Sequence, residues 1–120
     1  MLDTSPLTVA VERFADRLRA APQSRLQRGA AEQALALARE LAVRAQRLEE
    51  AASQAGRGAA PAPAREVPDA GIFVVGDQLS VTGLDLAEAL RAAPDAGTAP
   101  SVLLDEAVEL VERAEVRAMR

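Results

Sequence analysis

The chain contains no cysteine, histidine, lysine, tryptophan or tyrosine, and only two phenylalanines, Phe14 and Phe73. Each absence removes some chemistry. Without cysteine there is no disulfide, thiolate nucleophile or cysteine metal site. Without histidine the commonest metal ligand and the usual neutral-pH general base are missing. Without lysine there is neither a Schiff-base amine nor a phosphate-loop lysine. Two aromatics cannot build a stacking platform for single strands, and they leave the core to aliphatic side chains. All 14 basic residues are arginine. Abundant Ala and Arg without Lys reads as the coding bias of a high-GC bacterium and carries no functional message. No stretch approaches the roughly 20 apolar residues that span a bilayer. Met1-Leu2-Asp3 lacks the basic start and apolar run of a secretory signal, so a cytoplasmic location is expected.

What remains is mostly helical pattern. At 120 residues the chain is expected to form one domain, or one small domain with a flexible insert. Residues 23–55 form the longest regular stretch. Leu26, Leu37 and Leu48 recur every eleven residues, and Ala30, Leu41 and Ala52 repeat at the same interval. Eleven residues in three turns matches the relaxed α-helix. The apolar arc is wide, with leucines at one edge and Ala31, Ala34, Ala38, Ala42 and Ala45 at the other. Ser24 with Gln27 fits a capping box, Gly56 a stop, and Glu40 with Arg44 a favourable one-turn pair. Gly29, early in this helix, suggests close backbone approach.

Before it, Ser5-Pro6 reads as a helix start. Leu7, Val11, Phe14 and Leu18 then share one face, and Pro22 ends the helix. The short break before Ser24 predicts an antiparallel hairpin of helices one and two. Residues 56–68, rich in Gly, Ala and Pro, read as a flexible linker. Beyond it, Ile72-Phe73-Val74-Val75, the turn signal Gly76-Asp77 and the alternating Gln78–Thr82 predict a β-hairpin. Thr82 and Asp85 then fit a capping box for a helix to about Ala93. After a loop at Asp95–Thr98, a last helix runs from Pro100 to Met119 with Leu103, Leu104, Ala107, Val108, Leu110, Val111, Ala114 and Ala118 on its apolar arc.

The expected fold is therefore mainly α. It has four helices, the first two forming an N-terminal antiparallel helical hairpin with one long helix, plus one short β-hairpin. Three parts are expected: a helical hairpin over 1–55, a linker over 56–68, and a β-hairpin with two helices over 69–120 packing on the first.

Charge is uneven. The net charge is −4. Residues 1–68 hold ten Arg and eight acids, or +2, and residues 69–120 hold four Arg and ten acids, or −6. Such a division reads either as two solvated faces or as complementarity between the halves.

Three functional readings compete. Enzymatic chemistry would draw on Asp77, Ser80, Thr82 and Asp85, or on Asp105, Glu106, Glu109 and Glu112 as oxygen ligands for Mg²⁺ or Ca²⁺. Each residue of the first group already has a local turn, strand or capping role, and no base stands beside the hydroxyls. Nucleic-acid binding would use Arg25, Arg28, Arg39 and Arg47 on one side of the long helix, but Glu32 and Glu50 share that side and repel phosphate. The third reading is association. A helix over 23–55 would be about 50 Å long, longer than a compact domain needs, so its apolar face calls for a cover. The leading expectation is a non-catalytic interaction or scaffold module that self-associates as a homodimer. The face used would be Leu26, Ala30, Ala34, Leu37, Leu41, Ala45 and Leu48. No catalytic residue, cofactor or metal ligand is assigned.

Overall fold

The computed structural model describes residues 2–55, 66–93 and 98–120. Four long helices carry most of them: α1 (Ser5–Ala20), α3 (Ala31–Ala55), α4 (Val75–Ala92) and α5 (Pro100–Ala118). A single turn, α2 (Gln23–Arg25), and a widened segment, Leu26–Ala30, join α1 to α3.

Helix α1 follows its sequence pattern. Pro6 occupies its first turn, and Leu7, Val11, Phe14 and Leu18 are buried. It starts one residue earlier than expected, with Thr4 rather than Ser5 at the N-cap and no side-chain capping bond from it, and Asp3 Oδ1 accepts the Ser5 N–H at 3.0 Å. Hydrogen bonds from the Ser5 side chain and N–H hold the Asp3 carboxyl below its ordinary value.

The long helix is not a single rod. Gly29 has φ 124° and ψ −13°, outside the helical region, and a Cβ built there would meet nothing within 4 Å. Its glycine therefore serves backbone conformation rather than close packing. The expected Ser24–Gln27 capping box is absent, and no side chain caps Gln23–Arg25. The uninterrupted part, Ala31–Ala55, has 25 residues, about 37 Å at 1.5 Å per residue. The molecule measures 49 Å along its longest axis. The expected rod that outruns its own domain is thus overturned.

Contacts at the helix ends fix the topology. Arg91 donates to Thr4 Oγ1 (2.6 Å) and Arg19 to Asp77 Oδ1 (2.9 Å), so α1 and α4 are antiparallel. Arg117 reaches Gln33 and Arg44 approaches Glu106, so α3 and α5 are antiparallel. Leu35 and Arg39 lie beside Val75, and Ala45 beside Val81 and Asp85, so α3 and α4 run parallel. The four helices thus point up, down, down and up. Helix α4 packs on both α1 and α3, and so does α5. Helices α1 and α3 face each other across the diagonal. They run antiparallel, but they do not pack on each other as the expected helical hairpin. The reason lies in the connection: residues 21–30, with the Gly29 break, reach further than the 2–5 residues that join adjacent antiparallel helices.

The expected β-hairpin over 72–82 is also overturned, because residues from Val75 onward are helical. Val75, Leu79, Thr82, Leu86 and Leu90 recur with helical period and are buried. Gly76 and Gly83 are not turn residues. Both sit on the face of α4 that meets α1. A Cβ on Gly83 would lie 2.7 Å from Val11 Cγ1, and one on Gly76 would lie 3.3 Å from the Ala15 carbonyl oxygen. The capping box read at Thr82–Asp85 lies in the middle of α4, where Thr82 donates to the Leu79 carbonyl oxygen.

One core joins all four long helices, with Phe14, Leu7, Leu41, Leu79, Leu86 and Leu90 among its most completely buried side chains. Helix α5 follows its predicted arc, burying Leu104, Ala107, Val111, Ala114 and Ala118. The uneven charge proves to be complementarity within one chain. Arg13 Nη2 and Arg17 Nη1 reach the two Glu115 carboxylate oxygens at 2.7 and 3.1 Å, and Arg19 reaches Asp77. Every one of these pairs joins the basic N-terminal half to the acidic C-terminal half. Glu115 is buried while its arginines are half-exposed. The hydrogen bond and charge of Glu115 raise Arg13 above the usual guanidinium value, and the hydrogen bond to Asp77 raises Arg19.

Candidate functional site

The self-association face is covered from within the chain. Leu26, Ala30, Ala34, Leu37, Leu41 and Ala45 are buried in the core, and Leu48 packs against it half-buried. Helices α4 and α5 lie where a second copy was expected to sit.

Among the described residues a different feature stands open, an apolar groove of about 360 Å³ along the seam between α3 and α4. Alanine makes the α3 wall: Ala42 and Ala45, three residues apart, keep that surface low. The second wall comes from α4, through Gln78, Val81 and Thr82. The segment before α4 closes one side with Val67 and Pro68. Two hydrogen bonds pin that segment across the seam: Arg39 Nε donates to the Val67 carbonyl oxygen (3.0 Å), and Gln78 Nε2 to that of Pro68 (2.8 Å). Residues 66–68, read as the end of a linker, are thus tied to both helices. Residues 56–65 lie outside the described residues, as does most of the loop read at Asp95–Thr98.

Val81, in the groove wall, is 60% exposed; Leu84 (52%) and Val74 are exposed on the solvent side of α4 outside the groove's lining. Glu66, Asp77 and Asp85 stand on the groove's rim. Among the described residues, the buried side-chain oxygen left without a hydrogen-bond partner is Gln78 Oε1, in the same wall.

The residues weighed for catalysis are dispersed into structural contacts. Arg19 bridges Asp77 and Ser80 at 2.9 Å each, and Thr82 is turned to its own helix backbone. On α5, Glu109 pairs with Arg113 and Glu106 lies 3.9 Å from Arg44, while Asp105 and Glu112 are exposed. Among the described residues, no group of three or more acidic side chains is placed to hold a metal ion. The four arginines weighed for nucleic acid do not form one face. Arg25 and Arg28 lie at one end of the bundle, Arg39 is bound to Val67, and Arg47 is exposed further along α3. No helix among the described residues is long and apolar enough to cross a membrane.

Val81 and Leu84 do not stand out in the sequence while 78–82 is taken as a strand of the β-hairpin. A helical wheel over 74–92 reveals them: Val74, Val81, Leu84 and Glu88 fall opposite Leu79, Leu86 and Leu90. Comparison with protein-family models, with curated proteins and with solved structures finds no match, so the site is read from its own geometry.

Proposed function

We propose that this chain is a non-catalytic protein-interaction module, and that the α3/α4 groove takes an amphipathic segment of a partner protein carrying arginine or lysine beside its apolar residues. The observation that supports this most is the apolar groove itself, with the exposed Val81 in its wall and Leu84 and Val74 exposed on the same helix. Isolated surface valines need no explanation, whereas contiguous ones beside a groove are a recognised mark of a binding surface. The rim carries Glu66, Asp85 and Asp77, the last already paired with Arg19, and its acidic character favours a basic occupant. The unpaired Gln78 Oε1 is a local cost of about 1–3 kcal/mol, of the kind tolerated at working surfaces.

The test uses two designed helical peptides, one of leucine and lysine and one of leucine and glutamate, followed by fluorescence anisotropy. The Leu/Lys peptide is expected to bind and the Leu/Glu peptide to fail. The double substitution Val81→Arg, Leu84→Arg should abolish binding without unfolding the chain. Equal binding of both peptides, or binding indifferent to the double substitution, overturns the reading. Light scattering supplies a second check: a dimer dissociated by the same substitutions would make the occupant a second copy instead.

A further inference from the structure

The end of the bundle where α1 hands over to α3, and where α5 finishes, holds a second pocket of about 440 Å³. Arg25 and Arg28 enter it from the α2 turn and the widened segment, Arg117 and Arg120 from the end of α5. Glu32 is the acidic residue in its lining.

Arg13, Arg17, Arg19, Arg44 and Arg113 each reach an acidic side chain. The hydrogen bonds of the pocket arginines go to other groups, as do those of Arg39 and Arg91. Arg28 Nε donates to the Ser24 carbonyl oxygen, Arg117 Nε to Gln33 Oε1, and Arg25 Nη1 to the Arg120 main-chain oxygen. The oxygen that Arg25 meets belongs to the terminal carboxyl group of Arg120, the last residue of the sequence, and the other two acceptors are uncharged; each bond engages one nitrogen of a guanidinium with five N–H donors. Four guanidinium groups therefore share one concavity with Glu32 and the carboxyl group of the last residue, on a protein of net charge −4.

Helix dipoles explain half of this arrangement. The negative end of α5 favours Arg117 and Arg120 in and beyond its last turn.

We propose that this pocket binds a compact polyanion of the phosphate class, a ligand with at least two phosphate charges small enough to sit among the four guanidinium groups. Arginine forks match phosphate oxygens in pairs, and a multiply charged ligand relieves the repulsion that Glu32 and the Arg120 carboxyl group offset only in part. This reading does not rest on the α3/α4 groove, which lies on another seam.

Isothermal titration calorimetry of the full chain at low ionic strength, with inorganic pyrophosphate as the probe, tests it. Pyrophosphate is expected to bind more tightly than orthophosphate, and chloride not measurably. Arg28→Ala and Arg117→Ala should each weaken pyrophosphate about tenfold or more. Arg47→Ala, outside the pocket, should leave it unchanged. Glu32→Gln should strengthen binding by roughly threefold, because it removes the opposing charge. A role for the arginines limited to folding would not produce that gain. The proposal is overturned if pyrophosphate gives no heat of binding, if Arg28→Ala and Arg117→Ala bind it as the parent does, or if retention is seen only on DNA or on anionic vesicles.

Discussion

Helix α4 has two working faces built to opposite rules. Toward α1 it presents Gly76 and Gly83, seven residues apart, and Val11 fills the space that a Cβ on Gly83 would occupy. Toward α3 it presents Gln78 and Val81, beside a groove that no described residue fills, and Leu84 stands further round in solvent. On the first face the helices approach so closely that one methyl group is too many. On the second, side chains the size of valine and leucine stand in water. A single amphipathic helix thus seals one seam and leaves the other available, and the difference lies in residue size rather than in hydrophobicity.

That contrast can be broken or sharpened by substitution, with stability read from urea unfolding and from Tm. The largest effect is expected from Gly83→Leu, which drives four carbons into Val11. It should cost more than about 4 kcal/mol or prevent folding, the outer range for single substitutions. Gly83→Ala should cost about 1–3 kcal/mol through overpacking, despite a gain of about 1 kcal/mol in helix propensity. Val11→Ala should cost about 2 kcal/mol alone, yet the double variant should lose clearly less than the sum, with a coupling of about 1 kcal/mol or more. Additivity would show that the two residues do not meet. Gly76→Ala should cost less than about 1 kcal/mol, because its neighbours stand at 3.3 Å and the propensity gain nearly offsets the crowding. On the other face, Val81→Ser and Leu84→Gln should each stay within about 0.5 kcal/mol of the parent. A loss of 2 kcal/mol or more, on the scale expected for buried aliphatic side chains, would mean that this face is buried in solution.

The same contrast explains what was legible in the sequence. Helices α1 and α5 were readable almost to the residue, because their apolar positions keep one period and proline marks their starts. The core face of α3 was readable as an apolar face, but not its cover, since periodicity says that a stripe is buried and not by what. Helix α4 was misread through its glycines. Gly76-Asp77 is a strong local signal for a turn, and the short apolar run before it suits a strand. The competing helical period of Val75, Leu79, Leu86 and Leu90 extends beyond the window in which the turn was recognised. Tertiary packing against Val11 decided the matter, and that information lies 72 positions away in the chain. The groove followed α4 into the error, because its exposed valine and leucine acquire a common side only once the segment is helical. Gly29 was the reverse case: read as a packing glycine, it serves a positive φ.

The parallel course of α3 and α4 has a consequence for how the protein is made. A chain synthesised from its N-terminus completes α1 and α3 before any residue of α4 exists. Those two helices do not cover each other, because they face across the diagonal of the finished bundle. Phe14 and Leu41, both fully buried in the end, must wait for helices that emerge later, a delay on the order of seconds at about 5–20 residues per second. The first half of this molecule is therefore a nascent chain without a native fold of its own, and its exposure to chaperones and proteases ends only when the second half arrives between its helices.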